Sequence, residues 1–470
     1  MKECLYNNIF DIISDVIKEI NVEAYVIGGY VRDCILERKS EKQDIDIVVL
    51  GDGIKTAKSV ARSINPGIKV IVFKNFGTAM FRYKGIDLEF VGARQESYSP
   101  DSRKPSVSMG SLEDDQRRRD FTINALAISL NKDNYGEFLD PFGGVDDLKN
   151  RVIRTPLDPD RTFSDDPLRM MRAIRFASQL GFKIDETTFK GIQKNASRIE
   201  IVSSERITLE LNKILLVDKP SVGLNLLYES DLLKYFFPEL HNMKGIDIID
   251  NKGHKDNFEH TIQVVDNLAK NSDNLYLRWA ALLHDIAKPL TRKFDSKAGW
   301  TFHAHEFIGS RMVPDIFKKL RLPLNENMKF VKKMVALHLR PISLSQEEVT
   351  DSAIRRLLFE AGDDIDDLML LCEADITSKN EKKVKLYLEN FALVRQKLKE
   401  IEERDNIRRF QPPVSGDDII EIFGIKPGKE IGIIKDYIKE EILEGNIPND
   451  REAALELMFI KAKELGLKKL

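Results

Sequence analysis

Cysteine is scarce in this chain: Cys4, Cys34 and Cys372 are the only three in 470 residues. They lie far apart and without metal-like spacing, which excludes a cysteine-built metal site and fits a reducing cytoplasm. Long apolar runs are missing too. No stretch reaches the roughly 18 consecutive apolar residues of a membrane-spanning helix, so no membrane segment is expected. The opening MKECLYNNIFDIISDVIKEI has acids spread through an amphipathic helical period, unlike a signal peptide. Nor is there an excess of one charge. A net charge of −3 does not announce a nucleic-acid binder, but phosphate contact requires local basic patches and not a basic total. Such patches occur at Arg117–Arg119, along residues 164–177 and in IKAKELGLKKL near residue 470, each also readable as a solvated face.

What the chain does have is core-forming material: 42% hydrophobic residues over a length that suggests about three domains. Residues 1–155 alternate strand and helix signals. VEAYVIGG and DIDIVVL read as strands with the helical VRDCILER between them, and residues 68–94 read as a three-stranded meander broken at KNFGT and YKG. The polar segment 95–116 reads as a long loop. From about residue 160 helical spacing takes over, with linker-like breaks near 240, 385 and 408–418. The expectation is an α+β protein. Its mixed-sheet head (1–155) precedes an all-α neck (156–240), a body (241–385) and a helical tail (386–470).

Asp44 and Asp46 lie two apart on a strand and so share a face. Two such carboxylates repel each other, and a divalent cation is the simplest compensation. Upstream, Gly28 and Gly29 permit a tight turn whose backbone can approach a phosphate, the following helix offers free N–H groups, and Arg32 can reach the same anion. Asp87 and Glu89 alternate on a later strand, and Glu89 is the preferred third acid. Acids and a phosphate-cradling turn together make a two-metal phosphoryl- or nucleotidyl-transfer site.

The stretch SDDPLRMMRAIRFA (164–177) reads as one helix, yet Asp166, Arg169, Arg172 and Arg175 recur every third residue. Against 3.6 residues per turn these charges creep around the helix by about 60° per step. A salt-bridged surface helix is one explanation. The motif series supplies another. GGYVRD…DID, RRRDFTINALA, DPFGGVDDL and DDPLRMMRAIRFA occur in that order over residues 20–240 and resemble the class II tRNA nucleotidyltransferase and poly(A) polymerase family. The resemblance implies Mg²⁺ at Asp44 and Asp46, and nucleotide contacts from Gly29, Arg32 and Arg119. It also implies base reading by Asp166 and Arg169, with Arg172 and Arg175 at further nucleotide-contacting positions. Asp165 stands where the family usually has Glu, a conservative departure.

Base reading of this kind is chemically sensible. Cytosine and adenine each present an amino donor beside a ring-nitrogen acceptor, matching an Asp acceptor and an Arg donor, whereas uracil and guanine present the reverse. The implied activity is addition of C, C and A to the tRNA 3′ end from CTP and ATP, without a nucleic-acid template. Family members that add only CC lack a flexible loop element before the arginine motif. The long polar segment kept here, with Arg94 and DSRKP, favours full CCA or A addition. Poly(A) polymerases carry a basic tract after the DxD strand that KVIVFKNFGT does not supply.

Six of the seven histidines, His254, His260, His284, His303, His305 and His338, fall within 85 residues. A His284–Asp285 pair inside an apolar helix is costly unless both are paired or metal-bound. The order His260, His284–Asp285, Asp375 resembles the HD metal-dependent phosphohydrolase superfamily. By that match these four are ligands of a divalent metal, and His305 and His338 could hold a second ion, with His254 and His303 further candidates. Hydrolysis and a purely structural HD fold are both open. So are a partial CC- or A-adding enzyme, a poly(A) polymerase, and an idle head serving an HD hydrolase.

Overall fold

The computed structural model describes residues 2–38, 44–74, 77–99, 102–249, 252–344, 350–378, 380–405, 407–408, 410 and 413–469. They form two compact units, Met1–Pro238 and Glu239–Leu470. No helix among them is long and apolar enough to cross a membrane.

The first unit is built on strands β1 (Glu23–Ile27), β2 (Asp44–Leu50), β3 (Ile71–Phe73), β4 (Thr78–Tyr83), β5 (Ile86–Gly92), β8 (Ala127–Ser129) and β9 (Phe138–Leu139). Their order is β3-β4-β5-β2-β1-β8-β9. Within this sheet, among the described residues, only β2 and β5 pair in parallel, and the expected meander is β3-β4-β5. Helix α1 (Asn8–Glu19) starts where the Asn7 side chain accepts from the Ile9 N–H, and it buries Ile9, Phe10, Ile13, Val16 and Ile17 along one stripe. That stripe packs beside α3 (Gly53–Ile64), which lies on β4 and β5. Helix α2 (Gly29–Ile35) leaves β1 through the glycine turn.

Four expectations are corrected here. Residues 95–116 are not a loop. β6 (Arg94–Ser99) and β7 (Ser102–Met109) pair antiparallel, and α4 (Leu112–Arg117) follows with a Ser111–Asp114 capping box. Of DSRKP, Asp101 lies outside the described residues, and the rest lies on β7. A two-stranded ribbon need not bury a face, so it lacks the apolar alternation that betrays a strand. Residues 164–177 are not one helix either. After α5 (Gly144–Asn150), helix α6 (Pro159–Asp165) ends at Asp166, whose φ of −141° and ψ of 100° are extended, and α7 (Leu168–Leu180) starts beyond Pro167. The proline ring disfavours helical backbone at the residue before it. Cys4 and Cys34 are also not apart: α2 packs against residues 2–5, bringing their Cα atoms to 5.9 Å, and a disulfide joins them. Finally, His284–Asp285 lies beyond the end of the helix Leu275–Leu283 and not inside it.

Helices α8 (Glu186–Asn195) and α9 (Ser204–Leu215) complete the wall around α6 and α7. The second unit is mainly helical, with short antiparallel pairs of Ile248–Ile249 with Lys252–Gly253 and of Lys293–Asp295 with Gly299–Thr301.

Candidate active sites

The register of β2 and β5 sets the first site. Asp44 lies beside Asp87 and Asp46 beside Glu89. Ile45, Ile47 and Val49 point into the core, so the acids share the opposite face. Asp44, Asp46 and Glu89 line a cavity of about 1060 Å³ together with Gly29 and Arg32. Burial raises the Asp46 pKa, partly offset by Arg119 and reinforced by Asp44. Glu89 is raised by desolvation in the cavity wall and then by the charges of Asp46 and Asp44. Hard oxygen donors that push one another toward the neutral form fit a divalent cation.

Gly28 has φ +86°, and a Cβ there would stand 2.8 Å from Arg119 Nη1 and 3.4 Å from Asp46 Oδ2. Only glycine lets the turn pass so close to both. Gly29 has an ordinary φ, and a Cβ on it would meet, among the described residues, only Arg32 Nη2, at 3.6 Å. Its missing side chain leaves room on the cavity side.

Arg32 is buried. Its Nε and Nη2 grip Asp33 at 2.8 and 2.9 Å, and Nη1 donates to Asn124 Oδ1 at 2.8 Å. Asn124 Nδ2 in turn donates to Asp120 Oδ1 at 3.0 Å, while Asp120 Oδ2 accepts from Arg172 Nε at 2.7 Å. Burial would raise the Asp120 pKa, but Arg172 and Asn124 outweigh it and hold the carboxyl at about 2. In the arginine triplet, Arg118 and Arg119 both pair with the buried Asp115 of α4, whereas Arg117 makes only a surface pair with Glu113. Asp115 was not anticipated, although its i, i+3 and i, i+4 spacing to the two arginines carried the signal.

Asp166, Arg169, Arg172 and Arg175 are not part of the cavity wall. Asp166 Oδ1 accepts from the Leu168 N–H at 3.2 Å, at the entrance to α7. Arg169 donates from Nη2 to the Arg118 carbonyl at 2.5 Å and from Nη1 to the Thr162 carbonyl at 3.3 Å. Arg175, expected beside the nucleotide, is instead buried against α9, with Nε on Glu210 at 2.5 Å and Nη1 on Gln179 at 2.8 Å. The creep of the three-residue period carries it round to the α9 side.

The second site lies in the other unit. Asp285 stands between two groups: its Oδ2 is 3.5 Å from His260 Nε2 and 3.2 Å from His284 Nε2, and its Oδ1 is 3.2 Å from His305 Nε2 and 3.9 Å from His338 Nε2. Asp375 Oδ1 is 2.9 Å from His260 Nε2. The geometry admits two metal-sized triads sharing Asp285, namely His260–His284–Asp285 and Asp285–His305–His338. In His284, His305 and His338, Nδ1 faces the carbonyl three residues back, at 2.7 Å each time. An Nδ1–H donated there leaves Nε2 as the lone-pair atom, the tautomer a metal requires. His260 Nδ1 is held by Thr377 Oγ1 at 2.8 Å.

Among the described residues His284 Nε2 is buried without a hydrogen-bond partner of acceptable geometry. Burial opposes charge on His284, but Asp285 and Asp375 overcome this and raise its pKa to about 10. For His338, burial and the nearby His284 lower it to about 4. Asp285 and Asp375 stay ionised well below the carboxylate range, because the surrounding cations outweigh desolvation. The fit to divalent metal rests on geometry: four histidine Nε2 atoms face the carboxylates of Asp285 and Asp375, and a bound cation would displace the proton from His284. Lys288 Nζ lies 2.6 Å from Asp285 Oδ2 and was not foreseen, though three residues after His-Asp is one turn on. His254 packs edge-on against Trp300 and Phe302, and neither it nor the exposed His303 belongs to the two triads.

Residues 24–154 match the poly(A) polymerase head domain family, 181–244 the family described as a probable RNA and SrmB-binding site of polymerase A, and 257–380 the HD domain family. A CCA-adding enzyme of Ligilactobacillus salivarius (strain UCC118) is 30% identical over 447 residues, covering 94% of this chain and 93% of that protein. An A-adding tRNA nucleotidyltransferase of Aquifex aeolicus is 42% identical over 202 residues, 41% of this chain and 24% of its own length. Among solved structures, the Bacillus stearothermophilus CCA-adding enzyme in complex with CTP superposes with a TM-score of 0.69 at 25% identity, over 99% of this chain and 100% of that one.

Proposed function

The chain belongs to the CCA-adding enzyme family of nucleotidyltransferases, and from that premise we propose that it completes tRNA 3′ ends with C, C and A from CTP and ATP. The tRNA 3′-oxygen forms a bond to the α-phosphorus, the bond to the bridging oxygen breaks, and pyrophosphate leaves. The observation that carries this is the parallel β2–β5 pair, which presents Asp44, Asp46 and Glu89 to one cavity with Gly29 and Arg32. Mg²⁺ held by these acids would acidify the attacking hydroxyl and neutralise the departing pyrophosphate.

The remaining work falls to the chain itself. The Gly28 N–H is taken by the Leu126 carbonyl at 3.1 Å, so Gly28 shapes the turn, Gly29 brings its backbone N–H to the phosphates, and Arg32 and Arg119 add positive charge. Asp166 accepts from the exocyclic amino group of C or A, and Arg169 donates to the ring nitrogen. The carbonyls of Arg118 and Thr162 take two of the five Arg169 N–H donors, which fixes the plane of the fork and leaves the rest for a base. Uracil and guanine would leave buried groups unpaired at about 1–3 kcal/mol each. Arg172 is set by Asp120, and Arg175 braces α7 instead of touching nucleotide.

In the second unit, His260, His284, Asp285 and Asp375 would hold one divalent metal, and Asp285, His305 and His338 would hold a second, supplying Lewis-acid chemistry. That arrangement suits hydrolysis of a phosphate ester. We read four parts, head 1–155, neck 156–240, HD body 241–385 and tail 386–470, with the neck and tail binding tRNA through salt-sensitive basic patches. A cytoplasmic location suits a tRNA substrate. The similarity to an A-adding enzyme over 202 residues supports a second reading, A addition alone. The 94–109 segment speaks only against CC addition, and the full reaction is favoured by similarity to a CCA-adding enzyme over 94% of the chain. Asp44→Ala is the direct test. Nucleotide incorporation should vanish while tRNA binding persists, and undiminished incorporation would refute the assignment.

A further inference from the structure

Three guanidiniums converge on one ring. The Phe176 centroid is 3.8 Å from Arg175 Cζ, 5.0 Å from Arg32 Cζ and 5.4 Å from Arg172 Cζ, and the Phe121 ring packs against it at 5.8 Å and 82°. Each guanidinium has its own acid, Asp33, Asp120 or Glu210. Ion pairing therefore does not explain why the three cations gather in one place. The shared element is the aromatic ring, whose negative face attracts cations most strongly when buried, and Phe176 is buried. The three come from two separate parts of the fold. Arg32 lies on α2, behind the glycine turn, and Arg172 and Arg175 lie on α7.

We infer that Phe176 is a positioning residue, a hub that holds Arg32 of the phosphate turn in register with Arg172 of the base-reading helix. The hydrogen-bonded relay Arg32–Asn124–Asp120–Arg172 fixes the outer edges of the two guanidiniums. The ring fixes their faces. Neither arginine can then rotate without losing a contact to the other's support. The inference rests on the reading of Arg32 as a phosphate ligand, so its effect falls on the triphosphate end common to every nucleotide. Base choice by Asp166 and Arg169 lies outside it.

The test replaces Phe176 in the full-length protein with phenylalanines bearing one, two and three ring fluorines. Fluorine drains the ring face of electron density while leaving its shape nearly unchanged. The expected result is a graded rise in KM for CTP and ATP alike. It should reach about threefold to thirtyfold at three fluorines, the range of a buried cation–π contact. Preference for CTP and ATP over UTP and GTP should hold, and so should the melting temperature to within a few degrees. A second variant, Phe176→Leu, keeps an apolar filling without the quadrupole and should match the trifluorinated protein in KM. A flat fluorine series beside an active unmodified enzyme overturns the hub and leaves the site reading standing. A series in which kcat and melting temperature fall while KM stays constant makes Phe176 ordinary packing and also overturns it. If the unmodified protein incorporates no nucleotide at all, the reading of the site fails and the hub fails with it.

Discussion

The two glycines of the phosphate turn look interchangeable in sequence, and the structure predicts that they fail differently. Alanine at Gly28 would have to adopt φ +86°, ψ −136°, outside the regions open to L-residues, with its methyl 2.8 Å from Arg119 Nη1. Strain of that kind costs about 1–3 kcal/mol. For a unit the size of Met1–Pro238, each kcal/mol is worth about 2–4 °C, so Gly28→Ala should lower its melting temperature by roughly 2–12 °C. Gly29 is already helical, and a methyl there meets nothing closer than Arg32 Nη2 at 3.6 Å. Gly29→Ala should therefore melt at or slightly above the wild-type temperature, since alanine favours helix over glycine. Its methyl enters the cavity where the backbone is to meet phosphate. Loss of one charge-assisted hydrogen bond, about 1.5–3 kcal/mol, raises the KM for CTP about tenfold to a hundredfold. Calorimetry of both variants beside steady-state CTP incorporation separates the effects. Equal destabilisation of the two, or a wild-type KM for Gly29→Ala, would refute the reasoning.

Breaking the Arg175–Glu210 pair on one side, by Arg175→Met or Glu210→Gln, should cost about 3–5 kcal/mol in urea unfolding, because the remaining charge stays buried. The double variant Arg175→Met, Glu210→Met should recover most of that loss, whereas additive losses would contradict the pairing. Asp120 is depressed from 3.8 to about 2, so its contribution is complete above pH 4 and disappears as the pH falls toward 2. It amounts to about 2–3 kcal/mol. Asp120→Asn should flatten the stability curve over that interval, and an unchanged acid limb would show that the Arg172 pair is not what holds it. In the second unit, elemental analysis should find Asp285→Ala without bound divalent metal and His338→Ala retaining one ion per chain. Equal occupancy in the two variants would contradict a bridging role for Asp285.

What could be read from sequence was what local rules govern. The shared face of Asp44 and Asp46 follows from strand alternation, and the meander follows from its turn residues. The break at Asp166 was also legible, since Pro167 forbids a comfortable helix through it, but the apolar period on either side masked the proline. Other features depend on pairings that no spacing announces. Glu210 meets Arg175 only because α7 and α9 pack together. Cys4 meets Cys34 only because α2 returns to the start of the chain. The ribbon at 94–109 is polar in sequence and shows no apolar alternation to announce its strands. In the histidine cluster the residue types were visible, but not the i−3 carbonyls that orient each imidazole. Those come from the last turns of helices, such as Ala281 and Val335, whose carbonyls become free acceptors only where the helix terminates.

The central claim is tested most directly by extending tRNAs that end before CCA, after C and after CC, read at single-nucleotide resolution with Mg²⁺ and each of CTP, ATP, GTP and UTP. The account predicts stepwise addition of C, C and A that then stops, with GTP and UTP refused. A long ladder of A residues, extension of only one of the three tRNAs, or no extension of any would contradict it.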